Sequence, residues 1–186
     1  MDQKTFQTLY KKAKQLATDM HKDQRYGMHP YTKHLEDVVS VLMHFGACPC
    51  ANDNDRTRNL LIAAWLHDII EDTPITRENL EQNFGKDIAD LVWAVTNEPG
   101  KNRAERWNNT WPKIKAHPIA VYLKVADRIA NVMSSLKDLY GGDRGMWVMY
   151  RREWVLFEDA LKPQSGGTYN GMWTFLDGLM NEVTEY

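Results

Sequence analysis

The chain has 186 residues, with 23 Lys and Arg against 25 Asp and Glu and a net charge of −2, a length that suits one compact domain with a sizeable core. That balance leaves no basic surplus for bulk binding to nucleic acid or to an anionic membrane. No apolar run approaches the roughly 18 residues of a membrane span, and the polar start "MDQKTFQTLYKKAKQ" lacks a signal-peptide apolar region, so a soluble cytoplasmic chain is expected.

Phe6, Leu9, Tyr10, Ala13, Leu16, Ala17 and Met20 recur at i, i+3, i+4, i+7 spacing and predict a first helix. A second follows in "HLEDVVSVLMHFG", with Leu35, Val38, Val39, Leu42 and Met43 on one face and Gly46 as its stop. Cys48 and Cys50, in "GACPC", match neither a zinc-site nor a thioredoxin-type spacing and are expected as reduced thiols on the loop "CPCANDND". The third helix runs through "LLIAAWLHDIIEDTP" and ends at Thr73, because a residue before proline disfavours the α region. "TRENLEQNFG" reads as a short helix capped by Thr76, and "DIADLVWAVTNE" as another. A polar loop around "EPGKN" precedes "RAERWNNTW". "PIAVYLKVADRIANVMSSLKDL" predicts a long, largely buried helix with Pro118 in its first turn. "MWVMYRREWVLFEDALK" and "GMWTFLDGLMNEV" complete the set, separated by the Gly- and Ser-containing "LKPQSGGTYNG". No segment alternates with period two between hairpin turn residues. The expected fold is all-α, a single domain over residues 1–186 built of about eight helices.

The third helix poses the chemical question. His67, Asp68, Glu71 and Asp72 crowd its end, and residues four apart on a helix share a face, so His67 stacks with Glu71 and Asp68 with Asp72. A solvated helix end is the ordinary explanation of a charge cluster, but Ala63, Ala64, Leu66, Ile69 and Ile70 mark this helix as buried. Carboxylates in a last turn also oppose the helix dipole, by roughly 0.3–1 kcal/mol each when exposed. A bound divalent cation would reverse that sign. His34, at the opening of the second helix, offers a further ligand. Asp127 lies in "KVADRIAN" amid Val125, Ala126, Ile129 and Ala130. A buried Asp is usually paired, and Arg128 points about 100° away around the helix. The partner is then a metal or another basic side chain. His21 and His29 are weaker ligand candidates, and His44 and His117 read as ordinary surface or boundary residues. Two imidazoles and two carboxylates without a thiolate suit a six-coordinate Mn²⁺ or Fe²⁺ with open positions better than a closed structural zinc site.

Blocks around these residues resemble the HD-domain phosphohydrolases, and within them the hydrolase domain of the RelA/SpoT-type alarmone enzymes. "HKDQRYGMHPYTKH" is similar to H-x-x-Q-x-R…P-Y…H, "AAWLHDIIEDT" to A-A-x-L-H-D-x-x-E-D-T, "FGKDIADLVWAVTN" to F-G-x-x-[IV]-x-x-L-V-x-x-V-T, and "KVADRIANV" to K-L-A-D-R-x-x-N. The blocks stand in family order between about residue 5 and residue 160. No following segment resembles the synthetase domain of the long bifunctional enzymes, so the expected comparison is with small single-domain hydrolases. The resemblance implies an HD-domain helical bundle that uses one Mn²⁺ to cut the 3′-pyrophosphate from ppGpp or pppGpp, yielding GDP or GTP and pyrophosphate. By motif position it implies His34, His67, Asp68 and Asp127 as metal ligands. Glu71 and Asp72 would position or deprotonate the attacking water, and Arg25, Arg103, Asn131 and Tyr150 would contact the nucleotide, Tyr150 doubling as a candidate core aromatic. Tyr26-Gly27, Leu35 and Ala130 depart from common family residues near the implied nucleotide pocket.

Two other functions compete. One is an HD phosphohydrolase acting on a dNTP, a nucleoside monophosphate or NADPH. The other is a metal-stabilised regulator without turnover, against which the retained Glu71 and Asp72 argue. A small-molecule guanine nucleotide is the expected partner, and the sequence is silent on oligomeric state.

Overall fold

The computed structural model describes residues 1–48, 55–140, 145–164 and 170–181. Most of the "CPCANDND" loop, Cys50 included, and the "SGGTY" stretch therefore lie outside the described residues. The chain runs through α1 (Gln3–Met20), the strands β1 (Arg25–Tyr26) and β2 (His29–Pro30), α2 (Thr32–His44), α3 (Asp55–Leu66), α4 (Ile69–Asp72), α5 (Arg77–Phe84) and α6 (Lys86–Val95). It continues through α7 (Arg103–Ala116), α8 (Pro118–Tyr140), α9 (Gly145–Leu161), a 3₁₀ turn at Lys162–Gln164, and α10 (Asn170–Asn181). The all-α expectation holds, with ten α-helices among the described residues and none of them long and apolar enough to cross a membrane.

Local chemistry explains the boundaries. Asp2 caps α1, its carboxylate accepting from the Thr5 amide at 2.7 Å, which satisfies a donor that the first turn leaves unpaired. Thr76 and Asn79 form a reciprocal capping box at the start of α5. Gly85 ends α5 and starts α6 at φ 87°, a left-handed conformation that costs other residues free energy. A Cβ at Gly85 would meet nothing within 4 Å, so the cost of Gly85→Ala is conformational alone. The variant is expected to lose about 1–3 kcal/mol of stability, read as a lower urea midpoint at unchanged m-value.

The structure departs from the sequence expectations in four places. The third helix does not continue through its acidic end: α3 stops at Leu66, His67 and Asp68 form a turn, and α4 is a separate short helix. The dipole penalty inferred from a continuous helix therefore falls away, since the carboxylates lie beyond the end of α3. A minimal antiparallel hairpin pairs Arg25 with Pro30 and Tyr26 with His29; strands of two residues are too short to show alternation. α7 extends past "RAERWNNTW" and carries Pro112 within it to Ala116. Cys48 is disulfide-bonded rather than a reduced thiol.

α8 is the axis of the molecule. It packs on α2, α6, α7, α9 and α10, while α3 packs on α1, α2 and α6. Val121, Leu123, Val125, Ala126, Ile129 and Val132 of α8 are fully buried, as are Leu60, Ile62, Ala63, Ala64 and Leu66 of α3. Burial of each large aliphatic side chain contributes about 1.5–3 kcal/mol relative to exposure. Two such helices leave little water for polar groups they carry inward, so His67, Lys124 and Asp127 must be satisfied by one another or by a ligand.

Candidate metal centre

His34 enters from the first turn of α2, His67 and Asp68 from the turn after α3, and Asp127 from the middle of α8. Both histidines are buried, at 2% and 1% exposure. Their Nε2 atoms lie 3.2 Å apart. Asp68 Oδ2 is 3.4 Å from His34 Nε2 and 3.0 Å from His67 Nε2. Asp127 Oδ1 is 3.4 Å from the first and 3.8 Å from the second. Three separate stretches of sequence thus bring His34, His67 and Asp68 together as one group, with Asp127 at its side. The break between α3 and α4 makes this convergence local at His67 and Asp68, because adjacent residues of a regular helix would diverge by about 100°.

The supporting bonds orient each donor. His67 Nδ1 donates to the Ala64 carbonyl at 2.9 Å, which fixes the ring with Nε2 turned toward the cluster. The Tyr31 hydroxyl donates to Asp68 Oδ2 at 2.7 Å. Burial and the Asp68 charge push the Tyr31 pKa far up, so it remains a phenol donor. Asp127 divides its carboxylate. Oδ2 accepts from Lys124 Nζ at 3.0 Å, while Oδ1 faces the histidines and accepts from Asn131 Nδ2. Burial works against the charged imidazole of His34, but Asp127 and Asp68 still hold its pKa up to about 9. Burial likewise opposes charge on Asp68, whose pKa is nonetheless held well below the usual range by His67 and His34. Lys124 keeps its charge because Asp127, Glu71 and Asp68 outweigh its desolvation.

These residues fit a divalent cation. Ligand atoms about 2.1 Å from an ion lie roughly 3.0 Å apart at right angles and about 3.4 Å apart at tetrahedral angles. The separations of 3.0, 3.2 and 3.4 Å among His34, His67 and Asp68 match that range, whereas Asp127 stands wider, its Oδ1 3.8 Å from His67 Nε2. Two nitrogens and carboxylate oxygens without sulfur suit a borderline or hard metal.

Beside the cluster opens a cavity of about 160 Å³. His34, Asp68 and Asp127 line it together with the cations Arg103, Lys124 and Arg128, with Trp107, and with Asn97, Asn131 and Tyr150. Of the residues expected at the nucleotide, Arg103, Asn131 and Tyr150 are therefore brought together, while Arg25 is exposed on β1 and does not line this cavity. Tyr150 is also buried under the Arg128 guanidinium, 4.7 Å from its ring, so it is a core aromatic as well. Glu71 is clamped by Asn97, whose backbone N and Nδ2 donate to Oε1 and Oε2 at 2.7 and 2.9 Å. Asp72 retains solvent access, yet the surrounding protein and then the Asp68 charge raise its pKa above the ordinary carboxylate value. His21 is buried and bonds Gln24 at 2.8 Å, and His29 is exposed on the hairpin.

Sequence reasoning passed over Tyr31, Asn97 and Lys124. Lys124 stands at the head of the quoted "KVADRIAN" block, three positions before Asp127, so helical spacing was a usable signal. Nothing local marks Asn97 as the partner of Glu71. Of the two expected partners of Asp127, the basic side chain is present as Lys124 on Oδ2, which leaves Oδ1 toward the histidines.

A family model described as an HD domain matches residues 13–139. The chain belongs to the HD-domain family. HD-domain hydrolases use a divalent metal, and this HD-domain protein groups His34, His67 and Asp68 as a candidate cation site. It is 30% identical over 140 residues to the guanosine-3′,5′-bis(diphosphate) 3′-pyrophosphohydrolase MESH1 of Drosophila melanogaster, covering 75% of this chain and 74% of the fly protein. It is also 30% identical over 125 residues to the bifunctional (p)ppGpp synthase/hydrolase SpoT of Escherichia coli K12, where it spans 16% of the longer chain. The fold matches a solved metazoan SpoT ortholog, described as hydrolysing ppGpp, with a TM-score of 0.71 at 23% identity over 94% of both chains. A Listeria monocytogenes structure matches with a TM-score of 0.60 at 20% identity, over 82% of this chain and 98% of that one.

Proposed function

We propose that this chain, as a single HD-type domain, hydrolyses the 3′-pyrophosphate of ppGpp or pppGpp, releasing GDP or GTP and pyrophosphate, with Mn²⁺ as its metal and the cytoplasm as its place of work. The convergence of His34, His67, Asp68 and Asp127 beside a cavity walled by three cations carries this reading. It joins a cation site to a surface suited to several phosphate charges. The likeness to MESH1 over most of both chains supports the choice of substrate.

In this reading His34, His67, Asp68 and Asp127 hold the metal. Bound there, a divalent cation polarises a phosphoryl oxygen and makes water more acidic. Glu71, fixed by Asn97, positions the attacking water, and Asp72, with its raised proton affinity, shares in taking up the proton. The water oxygen bonds to the phosphorus attached at the ribose 3′-oxygen. The bond from that phosphorus to the 3′-oxygen breaks, the 3′-oxygen acquires a proton, and pyrophosphate departs with the new oxygen. Arg103 and Lys124 face the developing phosphate charge. Asn131 and Tyr150 meet the nucleoside side of the cavity, and Arg25 reaches the purine from the hairpin.

Metal-stripped protein incubated with ppGpp is expected to yield GDP and pyrophosphate only when Mn²⁺ is restored, with products resolved by ion-exchange chromatography. Intact ppGpp beside a cleaved dNTP or NADPH would move the substrate elsewhere within HD chemistry. No turnover of any of these would favour the regulator without catalysis.

A further inference from the structure

The cationic wall of the cavity is already engaged by an anion of the protein itself. Trp107 is surrounded by Arg103, Lys124 and Arg128, at 5.5, 5.6 and 5.3 Å from its ring centroid. These cations differ in freedom. Lys124 is committed to Asp127. Arg128 is buried at 4% exposure and packed over the Tyr150 and Phe157 rings at 4.7 and 4.6 Å. Arg103 opens α7 and keeps 40% of its side-chain exposure. Glu153, on α9, reaches both guanidinium groups. Its Oε2 accepts from Arg103 Nη2 and from Arg128 Nη1, each at 3.1 Å, and its Oε1 accepts from Arg103 Nε. Burial opposes the charge on Glu153, but Arg103 and Arg128 hold its pKa below the usual value, so it stands as a carboxylate.

A carboxylate gripping a guanidinium by two parallel bonds uses the same donor fork that a phosphate uses. Glu153 does not line the cavity, whereas Arg103 does. We propose that Glu153 is a positioning residue that holds Arg103 in the free protein and yields it to the pyrophosphate group of the substrate, so that Glu153 sets how tightly that group is bound and how readily it leaves. The inference rests on the pyrophosphohydrolase reading and deepens it. Arg128 stays with Glu153 because its aromatic surroundings fix it, and Arg103 is the group exchanged. The physical benefit is release. A wall of three cations beside a divalent metal would retain free pyrophosphate, and binding a product as tightly as the transition state slows turnover. A resident carboxylate lowers ground-state and product affinity together.

The test is isothermal titration of inorganic pyrophosphate into the metal-free full chain, wild type against Glu153→Gln, which keeps the shape and removes the charge. The variant is expected to bind pyrophosphate about 3- to 10-fold more tightly, the scale of a partly exposed charge pair. In an Arg103→Met background the same change is expected to have no effect, because a group acting through Arg103 loses its influence with it. Unchanged or weaker binding by a folded Glu153→Gln protein overturns the proposal. So does tightening that persists without Arg103, and so does a lack of pyrophosphate binding by either protein. If Glu153→Gln does not fold, Glu153→Asp, which retracts the carboxylate by one methylene, is expected to tighten binding by a smaller factor, and no tightening overturns the proposal. Because the readout is binding, its failure is separable from failure to cleave ppGpp.

Discussion

Glu71→Gln is expected to lower Mn²⁺-dependent hydrolysis of ppGpp by roughly 10²- to 10⁴-fold, the range for loss of a positioned acid–base group, while Mn²⁺ remains bound. The variant should keep the fold. Glu71 is an exposed residue past the end of α3, and a Gln carbonyl can still accept from the Asn97 backbone amide that now lies 2.7 Å from Oε1. The second bond changes sign. Asn97 Nδ2 donates to Oε2 at 2.9 Å, and a Gln amide in that place would set donor against donor until the Asn97 side chain turned over. What the substitution removes is the negative charge of the carboxylate proposed to position the water. Single-turnover rates with saturating Mn²⁺ measure the loss, and titration of Mn²⁺ into the variant measures retention of the site. Near-wild-type turnover would take Glu71 out of the reaction and leave Asp72 as the group that handles the proton.

Asp68→Asn should act one stage earlier, on the cation itself. Asp68 Oδ2 stands between both imidazoles, at 3.4 and 3.0 Å, and accepts from Tyr31 at 2.7 Å. An Asn side chain can occupy that space and still accept from Tyr31, so the backbone turn is retained. The charge that balances a divalent ion is not. Loss of groups that only orient a ligand already costs about 10- to 100-fold in metal affinity, so replacing a ligand itself should cost at least about 10²-fold. At micromolar Mn²⁺ the variant is expected to be inactive, with partial recovery at millimolar concentrations. Thermal unfolding gives an independent reading. A cation present at 100 times its Kd stabilises the native state by about 2.7 kcal/mol, so Mn²⁺ should raise the wild-type Tm and leave the variant's nearly unmoved. Equal Mn²⁺ affinity in the two proteins would remove Asp68 from the ligand set.

Helices whose buried faces repeat within a few residues were legible from the chain alone, because the pattern that drives burial is itself local. Phe6, Ala13 and Ala17 of α1 and Leu35, Val38, Val39 and Leu42 of α2 lie in the core as their spacing requires. The candidate ligands were legible for a related reason: His67, Asp68 and Asp127 sit among apolar neighbours, where a charged or imidazole side chain needs a partner. The metal-site candidates His34, His67, Asp68 and Asp127 could thus be named one by one. That they lie near one another was carried by the family resemblance and not by their spacing.

Only the tertiary structure decided how those side chains are held. The turn at His67 and Asp68 replaces a continuous helix, and it separates Glu71 and Asp72 from the end of α3. Asn97 reaches Glu71 across 26 positions of sequence, Tyr26 reaches Asn131 across 105, and Glu153 reaches Arg103 across 50. Contacts of that range leave no periodicity behind. They form because α2, α3 and α8 bury their apolar faces against one another, and the polar groups those helices carry inward then find partners by proximity rather than by sequence.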